Sequence, residues 1–549
     1  MSPRGRSPLD GPTELPRPRT VATPPYWLVA AAVLVTLPFL GKAPVIDEEG
    51  YLWIAAHLDP LRPYDWVRTW PPYAGDAYAW AHPPLHIYWL KLCQAVASGW
   101  ALRAVAGLPW IALLAYSVVR LTTRACHHPG IAAAIWLASP IVVLGLHDTW
   151  MIDLPAVALA TFAVAAYREG LVDEDERWFV ASGLTLGLAI ETKYAMAALV
   201  PVFAVHMLRL GPRPRLWLAL AAVVFAVEAP LWAVYGRPHP WEVWVHRGEI
   251  ASGDLAGRVL GTVARCSLLA LPLVLFRARP ALLAAGLALA LLAVVGARPD
   301  EMPVATSVSL VLLAGLGGGV LARAGEAVLK SPTKRRKGDR GDPLLFGAWL
   351  LATVLGVVLF HNYASARYLL PAAAPAAILL TRSGEEVPWG KALLRVSAGV
   401  TAMVALTLAV ADFRYAAATV EVAKAALARA PEVGVFAGEW GFRGAMEAAG
   451  WARYRADVPP PPGTWVVVAK NASPGAVDLA ALEPYDHVAS ADTFAVRVVD
   501  LAVGIGLYAE TLGPLPFGLG RGPLESATLY RVRGAGAGGR VDGDEGAAP

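Results

Sequence analysis

The 549-residue chain is 56% hydrophobic and only 16% charged, with a mean hydropathy of +0.49. A soluble domain is about one quarter charged, so this composition excludes a soluble globular protein and indicates an integral membrane protein. A net charge of +4, scattered along the chain, argues against a nucleic-acid partner. Cys93, Cys126 and Cys266 are far apart and match no metal or redox spacing, so no disulfide framework is expected.

Residues 1–25 are Pro- and Arg-rich, with Arg4, Arg6, Arg17 and Arg19. No small-residue cleavage site follows the first apolar run. The stretch therefore reads as a disordered cytoplasmic tail ahead of an uncleaved first span. A transmembrane helix needs about 20 mostly apolar residues. The expected spans are 26–41, 102–120, 130–146, 154–167, 179–192, 194–209, 216–235, 259–276, 281–296, 303–321, 344–361, 367–381 and 394–411, about thirteen in all. The shorter ones are read as tilted or buried helices. Basic residues collect in alternate connections: Arg120 and Arg124, Arg168 and Arg177, Arg209 to Arg215, Arg277 and Arg279, SPTKRRKGDRG at 331–341, then Arg382 and Lys391. The opposite connections, 147–153, 297–302 and 361–366, hold only Arg298. Cytoplasmic loops carry the Lys/Arg excess, so the N-terminus is expected inside and the C-terminus outside.

The first extracytoplasmic loop, 42–101, then carries Asp47, Glu48 and Glu49 at its start and His82-Pro83-Pro84-Leu85 near its end, with many Trp and Tyr between. After residue 411 the composition changes. VGVFAG (433–438), TWVVVA (464–469), FAVRVVD (494–500) and TLYRVR (528–533) read as strands, with a helix in EWGFRGAMEAAGWARY. The expected fold is a polytopic α-helical membrane protein, 26–411, followed by a small extracytoplasmic α/β domain, 412–533, and a disordered low-complexity tail, 534–549. The Ala- and Arg-heavy composition suggests a bacterial plasma (inner) membrane protein.

Five polar clusters interrupt this apolar chain. Asp47 and Glu48 could deprotonate an acceptor or hold a divalent cation against a phosphate; equally, acidic residues are common at a solvated loop start. His82 precedes a helix whose two entry prolines leave its first turn ready to face an anion, or it is a plain loop histidine. In HDTWMIDLPA, Asp153 is the better site candidate and Asp148 reads as exposed; acidic groups at span edges are costly unless they line a wet cavity. Lys193, in Glu191-Thr192-Lys193-Tyr194, either binds a phosphate as a point charge or snorkels to the interface. Arg367, beside Tyr368 and following His361-Asn362-Tyr363, offers a forked guanidinium suited to phosphate. All five fall on the outer face, and one shared site explains that economically.

The order of these motifs resembles membrane glycosyltransferases of superfamily C, in particular the protein-mannosyltransferase-like branch (glycosyltransferase family 39) and the lipid A aminoarabinose transferases. The residues that carry the resemblance are Asp47-Glu48, Pro83-Pro84-Leu85, Asp153-Leu154-Pro155, Thr192-Lys193 and Arg367-Tyr368-Leu369-Leu370-Pro371. The resemblance implies a polyprenyl-phosphate sugar as donor and a lipid, glycan or protein as acceptor. It also implies Asp47 as the catalytic carboxylate, assisted by Glu48. Substrate binding would fall to His82, Asp153, Lys193, His361, Arg367 and Tyr368. The family often has Lys where this chain has His82, so phosphate binding there would depend on protonation. Whether a metal is used stays open; Asp47 and Asp153 are its candidate ligands. A transporter or flippase of a polar or lipid-linked solute is the rival reading. It would place charges near the bilayer midplane, whereas here they lie mostly at span ends.

Overall fold

The computed structural model describes residues 23–65, 82–250, 255–269, 304–331, 343–361, 363–386, 389–430 and 432–533. Residues 1–22 of the expected N-terminal tail, the expected C-terminal tail, the aromatic run 66–81, the span at 281–296 and most of the basic run at 331–341 lie outside the described residues.

Among the described residues six helices are long and apolar enough to cross a membrane: Gly99–Ala125, Asp153–Asp173, Pro214–Tyr235, Val304–Leu329, Pro343–Phe360 and Gly390–Arg429. A seventh crossing forms if Pro129–Ala138 and Pro140–His147, bent by 64°, count as one span. The bend has a local cause. Pro140 removes a backbone donor and pushes Ser139 out of the helical region, to φ −61° and ψ 127°. Trp27–Phe39 and Tyr194–Leu210 are shorter apolar helices. The chain is thus a mostly helical, multi-pass membrane protein. Glycine allows close contact between helices: a Cβ on Gly183 would overlap the Leu216 carbonyl, and one on Gly317 the Val263 carbonyl. Small residues let helix backbones approach where lipid offers no hydrophobic drive to associate.

Two breaks in apolar runs decide where the polar groups go. Helix Glu176–Thr192 stops because Lys193 is extended, at φ −151° and ψ 115°, and a 3-10 turn, Tyr194–Ala198, restarts the chain. The expected span at 367–381 opens instead as a 3-10 turn, Ala366–Ala372, before helix Ala373–Glu385.

Helix Gly390–Arg429 has 40 residues and runs well past the expected span end at 411. At 1.5 Å per residue it is about 60 Å long, twice a bilayer's hydrocarbon thickness of about 30 Å. Its second half packs against a five-stranded sheet. The strand order is Ala452–Arg453, Val435–Ala437, Trp465–Ala469, Ser526–Val532, Leu482–Ala489. The first three strands are parallel and the last two pairings antiparallel. Helix Trp440–Ala448 links the first two strands in sequence. The 494–500 segment is no strand of this sheet; it forms two-residue pairings with 505–506 and 518–519.

A buried ionic network joins the sheet region to the helices. Lys42 Nζ lies 2.5 Å from both Asp148 Oδ1 and Asp412 Oδ2, and Tyr508 donates to Asp412. Asp148, expected to be exposed, is buried because Lys42 and Asp412 enclose it. Cys93, Cys126 and Cys266 are free and buried. Asn471 is buried as well, its amide donating to the Leu524 carbonyl at 3.1 Å.

Candidate active site

Asp47 directly precedes helix Glu48–His57, makes no capping hydrogen bond, and keeps its side chain half exposed. The residue before it, Ile46, has φ +51°, a region that a β-branched side chain rarely adopts. Arg367 Nη2 reaches Asp47 Oδ2 at 2.8 Å. The same nitrogen donates to Tyr363 Oη at 3.2 Å and to Tyr368 Oη at 3.3 Å, and Nη1 lies 3.7 Å from Met151 Sδ. Arg367 Nε is buried without a partner among the described residues.

Tyr368 is the hub. The Arg367 guanidinium stands 5.0 Å from its ring and Lys193 Nζ 4.4 Å from it, both within cation–π range. The His361 ring stacks on it at 4.0 Å. Lys193 Nζ also pairs with Asp153 Oδ1 at 2.6 Å, while Asp153 Oδ2 is buried with no partner among the described residues. The expected residues Asp47, Asp153, Lys193, His361, Arg367 and Tyr368 therefore form one connected cluster, brought together from four parts of the chain.

Tyr51 closes this cluster and was not singled out by sequence. It lies among Asp47, Arg367, Asp153 and Tyr368. Its N–H donates to the Asp47 carbonyl at 2.9 Å, so it is one helical turn on, on the same face. That four-residue spacing was the available signal. His82 stands at the edge, its ring 6.5 Å from that of Tyr51 and its carbonyl accepting from Tyr64 Oη at 3.1 Å.

Glu48 departs from expectation. It is fully buried, and Arg103 grips both its oxygens at 2.8 and 2.7 Å. Arg103 also donates to the Lys42 carbonyl at 3.1 Å and lies over the Trp150 ring at 3.7 Å. A carboxylate held in this way anchors the turn beneath Asp47 and has no free oxygen for an acceptor proton. Glu191, one residue before Thr192-Lys193, is fully buried and faces Glu228, outside the cluster.

Asp47 and Asp153 each face a cation already, Arg367 and Lys193 respectively, and this fits poorly with their acting as ligands to a divalent metal. Among the described residues no group of three or more His, Cys, Asp or Glu is placed to hold one.

Residues 81–233 match the family model of dolichyl-phosphate-mannose-protein mannosyltransferases. The matched region holds His82, Asp153 and Lys193; Asp47 and Arg367 lie outside it. The resemblance to protein-mannosyltransferase-like membrane glycosyltransferases is thereby met. Two solved structures are similar as well. ArnT from Cupriavidus metallidurans bound to undecaprenyl phosphate is 17% identical, with 81% of this chain and 92% of that chain covered and a TM-score of 0.45. An oligosaccharyltransferase from Archaeoglobus fulgidus in the apo form is 15% identical, covering 70% of this chain and 54% of that chain, with a TM-score of 0.33. No curated protein sequence matches the chain.

Proposed function

We propose that the protein is a membrane glycosyltransferase that moves a sugar from a polyprenyl-phosphate donor to an acceptor on the extracytoplasmic face. The observation that carries this is the arrangement of one half-exposed carboxylate, Asp47, against two cations, Arg367 and Lys193, that share the Tyr368 ring. The family model over 81–233 supports the same class of chemistry. The Lys/Arg bias of the connections supports the side of the membrane, with the N-terminus inside and the sheet-bearing region outside.

In this reading Asp47 takes the proton from the acceptor's nucleophilic oxygen or nitrogen as that atom attacks the anomeric carbon. The new glycosidic bond forms while the bond from the anomeric carbon to the phosphate oxygen breaks, and the electron pair leaves with the polyprenyl phosphate. Arg367 and Lys193 hold the charge that develops there. A single displacement inverts the anomeric centre. The unpartnered Arg367 Nε and Asp153 Oδ2 are buried polar atoms of a kind that normally finds a partner, and bound substrate would supply one. Tyr368, backed by the stacked His361 ring, draws the two cations together.

Release of polyprenyl phosphate by purified protein tests the proposal. Asp47→Asn is expected to lower the rate by about 10²–10⁴ while inserting normally in the membrane. An Asp47→Asn variant with full turnover would refute the assignment.

A further inference from the structure

The sheet-bearing region places its own charged groups beside Asp47. Helix Trp440–Ala448 rests directly on the turn that carries Asp47: a Cβ on Gly441 would meet the Pro44 carbonyl at 3.1 Å, and one on Gly444 would strike the Glu49 carboxylate. Gly441 and Gly444 thus leave room for the turn and for the Glu49 side chain against this helix. At the start of the helix, Glu439 is near enough to Asp47 to feel its charge. Glu439 Oε1 pairs with Arg453 Nη2, and Glu439 Oε2 lies 3.5 Å from Arg443 Nη1. Arg443 Nε reaches Glu447 Oε1 at 2.7 Å. These groups remain partly open, with side-chain exposures of 23% for Glu439, 30% for Arg453 and 40% for Glu447.

The backbone adds an independent observation. Trp440 has φ +63° and Ile46 φ +51°, both left-handed conformations that bulky or branched residues rarely adopt. Each strained residue directly adjoins a carboxylate residue, Glu439 or Asp47. Strain of this kind persists where the surroundings over-determine it, and it collects at functional sites.

We propose that the C-terminal region forms the acceptor half of the site, with Glu439 and Arg453 binding a neutral, hydroxyl-rich acceptor head group and presenting it to Asp47. The inference rests on the glycosyltransferase reading and deepens it. The charge arrangement selects the class. Asp47, Glu439 and Glu447 would repel an anion, and Arg367, Arg443 and Arg453 would repel a cation. A hydroxyl can donate to a carboxylate and accept from a guanidinium at once, so an ion-paired cluster suits a polyol or sugar.

The test uses full-length protein, the polyprenyl-phosphate sugar that wild type cleaves, and three acceptor probes: p-nitrophenyl glucoside, its glucuronide and its glucosaminide. The neutral glucoside is expected to stimulate donor turnover at about tenfold lower concentration than either charged probe. Glu439→Gln and Arg453→Gln are each expected to raise the glucoside KM about tenfold, far more than they change the donor KM. Asp457→Asn, whose solvent-exposed pair with Arg455 shares no bond with Glu439 or Arg453, is expected to change neither. A preference for a charged probe, no stimulation by any probe, or equal shifts in donor and acceptor KM would overturn the inference while donor turnover persists. Loss of donor turnover in wild type would instead remove the glycosyltransferase reading itself.

Discussion

Arg367 and Asp47 meet at 2.8 Å although 320 residues separate them. This contact ties the turn after the first apolar helix to the 3-10 turn of Ala366–Ala372, and it places the carboxylate beside the cation that the proposed mechanism needs for the leaving phosphate. The Nη2 group that meets Asp47 also serves Tyr363 and Tyr368, while Nη1 lies against Met151 Sδ, so the planar guanidinium and not merely its charge is used. Arg367→Lys keeps the charge and loses the fork. The expected result is a fall of about tenfold or more in kcat/KM for the donor, with Arg367→Ala lower still. Steady-state kinetics at varied donor concentration measure this.

Glu48 is expected to act on stability. Breaking a buried, hydrogen-bonded ion pair costs about 3–5 kcal/mol, and the Glu48–Arg103 pair is almost wholly buried. Glu48→Gln and Arg103→Leu should therefore both lower the unfolding temperature in detergent. A Glu48→Gln protein with wild-type thermal stability and no turnover would return Glu48 to the chemistry.

Glu49 makes the docking of helix Trp440–Ala448 sensitive to pH. Burial, reinforced by the Glu447 charge, pushes its carboxyl up to about 7. An unfolded Glu titrates near 4.3. With the folded value raised, the folded protein binds more protons between those limits, so stability falls as pH rises from about 4.3 to 7 and stays lower above. Glu49→Gln removes that slope and should unfold at a higher temperature than wild type at pH 8. Parallel pH profiles for the two proteins would contradict the assignment.

Lys42 carries a related expectation. It neutralises Asp148 and Asp412 where the helices meet the C-terminal region. Lys42→Met leaves two buried carboxylates facing each other and should lower thermal stability by several kcal/mol. Double substitution with Asp412→Asn should recover part of the loss, as a thermal melt of the four-protein cycle would show.

The sequence made the apolar spans legible where hydropathy alone decides them, as in Pro343–Phe360. It did not show that the last helix continues to Arg429, because hydropathy drops at Asp412 while Ala-rich helix propensity does not. Strand Leu482–Ala489 escaped notice for another reason. It lies at the sheet edge, carries exposed Glu483 and Tyr485, and has a register shift between Pro484 and Asp486, so it lacks the apolar pattern of a core strand. The candidate site was legible as clusters: Asp47, Asp153, Lys193, Arg367 and Tyr368 do converge. What composition could not reveal was the division of labour between neighbours. Asp47 and Glu48 are adjacent and chemically alike, yet helix geometry leaves one half exposed and turns the other onto Arg103. Tyr51 and Glu439 were hidden because their meaning comes from distant residues.

The most direct measurement is transfer of radiolabelled sugar from a panel of polyprenyl-phosphate sugars onto acceptors in a membrane extract, with purified wild type and Asp47→Asn side by side. The proposed mechanism predicts that wild type moves label from at least one donor and that Asp47→Asn moves about 10²-fold less or lower still. Label that stays on every donor, or that leaves equally fast with both proteins, would contradict it.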